Sequence, residues 1–220
     1  MTRLAWLVAG VLAIAPARAR ADEPPVATLL AGPAAHGAAL DPVLAKITFD
    51  RMQCKFSEEK HVALLAKPLR AAGAIVFDRA RGVARITTAP KPSRVVLTAQ
   101  ALTITTGDHT EQIPLDKMRD LRAFALIVPT LFRGERAELE RSFELALYGD
   151  ARASWALAFV PRADALKKLV RRVVVRGHAD ALIGLQIVEA SGDTTDTQLT
   201  EVVTNARVAD REIATAFGAP

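Results

Sequence analysis

From Phe49 to Thr105 the chain alternates apolar and polar residues in short runs that turn residues separate. Met52, Cys54 and Phe56 occupy every second position, and so do Ile75 and Phe77. Successive side chains of a strand point to opposite faces, so each run predicts a strand with one apolar face. The runs predict strands over 51–65, 74–78, 83–88, 94–98, 102–105, 112–113, 142–147, 153–160, 171–176, 181–190 and 195–203. Regular short strands between turns favour an antiparallel sandwich or barrel.

The period changes between residues 116 and 128, where apolar residues recur at helical spacing. Met118, Leu121 and Val128 share one side, with Phe124 beside them, and Pro129 ends the pattern. Shorter helices are predicted from Asp41, over 135–140 and over 164–169. The insertion has two interpretations. It is either a permanent part of the core or a lid that covers the concave face of a curved sheet and can leave it.

The amino-terminal residues have the pattern of an export signal. Arg3 is followed by an apolar run from Leu4 to Ala15, which is too short to span a bilayer, and by the small-x-small pattern Ala19-Arg20-Ala21. We expect residues 1–21 to be a signal peptide and the mature protein to be periplasmic, the alternative being an uncleaved anchor. Residues 22–40, rich in Ala, Pro and Gly, predict a flexible segment, and residues 41–220 predict one domain.

The net charge and the cysteine content limit the kinds of partner and of covalent cross-link that this chain can have. The formal net charge of +5 includes three signal-peptide arginines, and the +2 that remains without them is not a nucleic-acid footprint. The densest basic patch is 167–172, interpreted either as a solvated strand end or as a contact for anionic lipid or an acidic partner. Cys54 has no second cysteine to pair with and is interpreted as a small buried hydrophobe.

Groups that would indicate catalysis or metal binding are not arranged for it in the sequence. The four histidines have no metal-ligand spacing, and the adjacent Glu58 and Glu59 would point to opposite faces of a strand. We therefore predict no enzyme activity, no cofactor and no metal. A hydrolase would need His61 or His109 to meet a Ser or Glu in the folded chain. The aliphatic side chains are then the feature of the sequence that could bind a ligand. Each methylene of an acyl chain that is buried against them contributes about 0.8 kcal/mol.

An ordered series of short segments resembles the LolA family of periplasmic lipoprotein carriers, and more closely its divergent LolA-related branch. The resemblance extends from Asp41 to Val208 and is carried by order and spacing. In chain order the segments are Phe56–Lys60, Lys67–Leu69, Gly73–Arg79, Pro90 with Arg94–Leu97, the helical insertion, Gly134-Glu135 with Leu139 and Phe143, Trp155–Pro161, Gly192–Thr194 and Asn205.

The resemblance implies an incomplete, strongly curved antiparallel β-barrel whose helices cover a hydrophobic cavity on the concave face. It also implies a monomer that takes acylated lipoproteins from an inner-membrane ABC transporter to an outer-membrane acceptor. The expected lipid-binding residues are Phe56, Ile75, Phe77, Val83, Leu97, Leu102, Ile104, Met118, Leu121, Phe124 and Val128. Arg79 occupies the position of an arginine that holds the lid closed in the family.

Departures from the family pattern leave the cargo open. Ala80 replaces a proline, Arg85 stands where a tryptophan is common, and an aromatic strand motif is here Ala101–Ile104. These changes predict an aliphatic cavity. A free lipid, a glycolipid or a polyene-type product is an alternative cargo on the same fold, and a structural adaptor that binds no lipid is a further alternative.

Overall fold

The computed structural model describes residues 24–117, 130, 132–133 and 136–218. In this part of the chain twelve strands form one antiparallel sheet in the order β1-β8-β9-β10-β11-β12-β2-β3-β4-β5-β6-β7, which is not closed into a barrel. The strands are Ala34–Ala35 (β1), Arg51–His61 (β2), Leu69–Asp78 (β3), Gly82–Ala89 (β4), Ser93–Leu97 (β5), Ala101–Thr106 (β6), His109–Pro114 (β7), Phe143–Gly149 (β8), Ser154–Pro161 (β9), Val170–His178 (β10), Ala181–Glu189 (β11) and Thr194–Thr204 (β12). The prediction of a mainly β, incomplete antiparallel barrel is confirmed.

Hairpins build two runs of the sheet, β2 to β7 and β8 to β12, and one long-range pairing joins them. That pairing places β12 antiparallel to β2, with Leu199 opposite Phe56 and Thr197 opposite Glu58. A register shift between Thr200 and Val203 interrupts the ladder, and Glu201 at this point has a φ of 51°. The β12–β2 pairing therefore joins the two runs, and the strands of both runs form one continuous sheet.

The two faces of the sheet carry different cores. The face that bears Phe56, Phe77, Leu145 and Leu157, which we call the inner face, contributes to one large cluster of buried side chains. The outer face carries two small clusters. One surrounds Ala84 on β4 and the other surrounds Val174 on β10.

Five α-helices lie among the described residues. They are Val26–Leu30 (α1), Asp41–Lys46 (α2), Arg136–Ser142 (α3), Asp164–Lys167 (α4) and Asp210–Ala216 (α5), with 3-10 turns at Gly37–Leu40, Leu115–Lys117 and Asn205–Arg207. Helices α2 and α3 contribute Val43, Leu44 and Leu139 to the core of the inner face. None of these helices is long and apolar enough to cross a membrane.

Residues 26–40 correct the prediction of a flexible segment. They form α1, the short strand β1 paired with β8, and a 3-10 turn that ends at the buried Leu40. Val26 is buried and Leu29 and Leu30 are partly buried against Ala156 and its neighbours on the outer face. The spacing of these three residues is helical. The prediction of a flexible segment relied instead on the Ala, Pro and Gly content of this region.

The carboxyl-terminal helix α5 has no counterpart among the predicted elements. Ile213 and Ala216 are buried and Phe217 is partly buried, and all three pack on the outer face of β3 and β4. Their i, i+3, i+4 spacing predicts such a helix, and Asp210 and Glu212 in its first turn suit the helix dipole.

Several boundaries differ from the predicted ones. Strand β2 ends at His61, before the predicted 65, and β3 begins at Leu69, before the predicted 74, because these two strands pair along their whole length. Helix α2 includes Asp41 as its first residue, with Leu40 as the cap. The predicted signal peptide and the predicted helix of Met118, Leu121, Phe124 and Val128 lie outside the described residues.

Candidate functional site

The register of the sheet brings the predicted lining residues of the strands onto one face. Starting from Met52 on β2, direct pairing leads to Phe77, Val83, Leu97 and Leu102, one on each successive strand. Directly opposed residues of antiparallel strands share a face, so this series forms a continuous band, which we call the apolar row.

A second row runs beside the first. It contains Cys54, Ile75, Arg85, Val95 and Ile104, again in direct register. Phe56 lies two residues beyond Cys54 on β2 and therefore on the same face. All the predicted lining residues in β2 to β6 thus lie together on the inner face.

The burial of these residues changes along the two rows. Phe56 and Phe77 are buried, at 3% and 0% exposure, and belong to the core cluster. Ile75 and Val83 are partly buried and pack against its margin. Leu97, Leu102 and Ile104 are partly buried and lie beyond the cluster that the described residues form. The inner face therefore changes from solid core to incompletely covered aliphatic surface.

Phe132 lies at the boundary between these two regions, just after the segment predicted as a lid. Its ring centroid is 5.3 Å from that of Phe77 and 5.9 Å from that of Phe49. The Phe49 backbone N–H donates to the Phe132 carbonyl oxygen at 3.0 Å. Sequence reasoning missed both Phe49 and Phe132. Their aromatic side chains, in a chain with only 5% aromatic residues, were the available signal.

Arg79, the predicted lid-gating residue, follows β3 and reaches the same boundary. Its Nε donates to Asp50 Oδ1 at 2.8 Å, and its Nη2 donates to the Phe49 carbonyl oxygen at 3.2 Å. The Arg79 backbone N–H also donates to the Asp50 carbonyl oxygen at 2.8 Å. Arg79 is therefore connected to Phe132 through the backbone of Phe49.

A charged cluster interrupts the aliphatic surface near Phe56. Arg85 Nη2 lies 2.9 Å from Glu58 Oε1, and Thr197 Oγ1 donates to Glu58 Oε2 at 3.2 Å. The Arg85 guanidinium carbon lies 4.5 Å from the centroid of the Phe56 ring, a cation–π contact. Arg85 Nε is buried and makes no hydrogen bond within the described residues. The inner face thus offers both hydrocarbon and a partly desolvated ion pair.

Among the described residues, the histidine and cysteine side chains named as candidates for chemistry do not converge on one site. His61 Nε2 lies 3.8 Å from Glu59 Oε2, and both side chains are exposed. Burial raises the pKa of Cys54 to about 12, which keeps its thiol protonated and unreactive at neutral pH. Over the described ranges no cluster of three His, Cys, Asp or Glu side chains is placed to hold a metal ion.

A cleft of about 280 Å³ lies outside this face, at the end of the sheet where β2 meets β3. It is lined by the loop between these strands, including His61, Leu65 and Pro68, and by Gly192 and Thr194 at the turn between β11 and β12. The predicted lining residues do not contribute to this cleft.

Comparison with solved structures gives distant matches. A LolA superfamily protein from Nitrosomonas europaea is 10% identical, with a TM-score of 0.45, and the match covers 80% of this chain and 97% of that one. A DUF1329 family protein from Desulfovibrio piger is 9% identical, with a TM-score of 0.44 and coverage of 78% and 93%. A chain of the MucA/MucB complex of Pseudomonas aeruginosa is 14% identical, with a TM-score of 0.36 and coverage of 79% and 58%. No protein with a curated description matches the chain in sequence.

The comparison with family models is decisive, because one model spans most of the chain. The model described as outer membrane lipoprotein carrier protein LolA-like matches residues 31–218, which include both rows of the inner face, Arg79 and helix α5. The resemblance noted from the sequence is confirmed, and this chain belongs to the LolA-like family of outer membrane lipoprotein carrier proteins.

Proposed function

We propose that this protein is a periplasmic carrier that holds the acyl chains of a lipoprotein on the inner face of its sheet and moves them from the inner to the outer membrane. Family membership supports a carrier or binding role. The observation that carries the proposal is the apolar row, in which Val83, Leu97 and Leu102 continue the core outward without being buried themselves.

The physical basis is the gain from covering these residues with hydrocarbon. Each methylene removed from water contributes about 0.8 kcal/mol, so a long acyl chain gains several kcal/mol from the row without any covalent step. A carrier must also release its cargo, which requires empty and loaded states of similar free energy. The segment of Met118, Leu121, Phe124 and Val128 is the proposed competitor for the same surface.

Arg79 is the proposed control on that exchange. It holds the carbonyl of Phe49, and Phe49 in turn binds the carbonyl of Phe132, the residue that follows the proposed lid. Loss of the Arg79 contacts would free Phe49 and Phe132 to move away from Phe77. We propose that this is how the closed state is favoured over the open one.

Binding of a fluorescent fatty acid to the exported protein tests the proposal. Leu102→Glu places a carboxylate on the apolar row, and we expect it to weaken probe binding at least about tenfold, because a buried charge opposes hydrocarbon. Thr103→Glu is the matched control. Thr103 is adjacent on β6 and points to the other face.

Equal binding by both variants and by the unmodified protein would contradict the use of the inner face. A folded protein that binds no acyl probe would exclude a carrier of hydrocarbon altogether and favour the adaptor alternative. Extraction from the native periplasm would identify the proposed membrane partners: loaded protein should accumulate when the acceptor is deleted, and empty protein when the transporter is deleted.

The Glu58–Arg85 pair favours a second candidate, a carrier of a free amphipathic lipid. A polar head group with an anionic or amide function could bind the Arg85 guanidinium while its chain lies on the apolar row. Mass spectrometry of the material that co-purifies from the periplasm separates the two candidates. A di- or triacylated lipoprotein supports the first, and an unattached lipid or glycolipid supports the second.

A further inference from the structure

Large apolar side chains that remain exposed are concentrated at one end of the sheet. Among the described residues they are Leu64, which is 94% exposed, and Leu65, Leu69, Val160 and Leu169, which are 38–54% exposed. Leu64 and Leu65 lie in the loop after β2, Leu69 begins β3, Val160 lies near the end of β9, and Leu169 precedes β10. We call these five residues the leucine end.

The strand register shows that they lie at the same end. His61, the last residue of β2, is opposite Thr194, the first residue of β12. Glu189, the last residue of β11, is opposite Val170, the first residue of β10. The end of β2 and the beginning of β10 are therefore brought to one edge by the β11–β12 hairpin.

Hydrogen bonds join the parts of this surface. The Ala63 backbone N–H donates to Asp193 Oδ1 at 3.1 Å, which fixes the β2–β3 loop to the turn between β11 and β12. The Ala190 backbone N–H donates to the Leu169 carbonyl oxygen at 2.9 Å, which fixes the same turn to the residue before β10. Leu64 and Leu169 thus flank one connected group of loops.

The charge around the leucine end is positive. The acidic side chains Glu59, Glu189 and Asp164 are each paired with a neighbouring base, namely Arg70, Lys60 and Lys167. Within the described residues, no carboxylate forms an ion pair with Lys67, Lys91, Arg162, Lys168 or Arg171. Asp108, Asp193 and Glu144, which lies opposite Val160 on β8, are acids at this end that form no ion pair within the described residues, and the five bases outnumber them.

We propose that the leucine end is a membrane-docking surface that inserts Leu64 and Leu65 into the interface of a bilayer with anionic head groups. Leucine in an exposed loop gains free energy only when an apolar phase covers it, and an exposed apolar patch bordered by polar residues marks an interaction site. Lysine and arginine keep their charges at head-group level while their methylene stems lie beside the hydrocarbon. This combination fits a lipid surface better than an apolar groove on a protein.

The proposal is separate from the binding of acyl chains, because the leucine end and the apolar row do not share residues. Flotation of the exported protein with vesicles tests it without any cargo. We expect binding to vesicles that contain phosphatidylglycerol and weaker binding to vesicles of phosphatidylcholine alone, with a steep loss as salt is raised.

Two double variants separate the apolar and charged contributions. Leu64→Ser with Leu65→Ser should reduce vesicle affinity about tenfold or more, since both side chains leave the hydrocarbon. Lys67→Gln with Lys168→Gln should reduce it severalfold on vesicles with phosphatidylglycerol and leave it unchanged on phosphatidylcholine. Arg81→Gln with Arg152→Gln removes two exposed charges at the opposite end of the sheet and is the matched control. Circular dichroism verifies that each variant is folded.

Three outcomes of the flotation experiments would overturn the proposal. They are no flotation of the unmodified protein with either vesicle, equal flotation of the leucine variant, and an equal loss in the control. A photo-crosslinker at position 64 that joins the chain to an envelope protein, with no labelling of lipid, would also overturn it in favour of a protein partner. Normal fatty-acid binding by a leucine variant that no longer floats would support docking while leaving the carrier proposal intact.

Discussion

Two halves of the inner face are built from the same antiparallel strands, but their side chains are buried to different extents. On β8, β9 and β10, which we call the closed half, Phe143, Trp155 and Phe159 are almost fully buried beneath the elements around α2 and α3. On β4 to β6, which we call the open half, Val83, Leu97 and Leu102 are only partly buried. The closed half combines these aromatic side chains with leucine and valine, whereas the three named residues of the open half are aliphatic.

The difference separates folding from binding within one continuous sheet. Trp155 donates from its indole Nε1 to the Ala179 carbonyl oxygen at 3.0 Å, and Gly177 leaves room for its ring, since a Cβ there would lie 1.9 Å from an atom of Trp155. Such close packing cannot exchange partners without loss of the fold. In the open half the side chains of Val83, Leu97 and Leu102 are only partly buried, so this aliphatic row can accept a different cover.

The largest expected effect is on stability. Phe159→Ala in the closed half should lower the free energy of unfolding by about 3–5 kcal/mol, because it leaves a cavity in a packed core. Leu102→Ala in the open half should lower it by about 1 kcal/mol or less, because that side chain is already partly in water. Urea denaturation followed by circular dichroism measures both. Equal losses would show that the two halves are one core.

Arg79→Ala addresses the boundary between the halves. An exposed ion pair with Asp50 contributes about 1 kcal/mol or less, so we expect little change in unfolding and a several-fold tighter binding of a fatty-acid probe, as the closed state loses its Phe49 contact. Arg81→Ala, two residues along the same turn, is the control and should leave binding unchanged. An Arg79→Ala variant with unaltered probe affinity would remove Arg79 from any gating role.

The smallest effect concerns Cys54, on the strand between the halves. Its pKa is raised to about 12 by burial, so the folded state keeps the proton that the unfolded state loses near pH 9. The contribution of this proton to stability is therefore complete below pH 9 and declines as the pH rises toward 12. Iodoacetamide at pH 8 should modify the folded protein far more slowly than the denatured one. Rapid modification of the folded protein would show that water reaches the space behind β2 and β3.

The sequence was sufficient for the existence of every strand from β2 to β12 and for the apolar face of β2 to β6, but not for β1. Alternation at Ile75 and Phe77 and again at Leu102 and Ile104 requires one apolar side, and direct pairing then places those sides together. Helices α1 and α5 were harder to predict from the sequence. Val26 and Ile213 can be recognised as core residues only when the outer face on which they pack is known. Phe132 and the partner of Arg79 could not be derived, because Phe49 is 83 residues distant from one and 30 from the other.

What the sequence by itself determined is local: the order of the strands, the apolar side of each, and the absence of a metal or nucleophile motif in the order of its residues. These follow from covalent spacing and from the two-residue period of a strand. Only the tertiary structure decided which part of that apolar side is covered. The pairing of β12 with β2 and the docking of α2 and α3 bury one half, and cover depends on contacts between residues far apart in the chain, which no local pattern specifies.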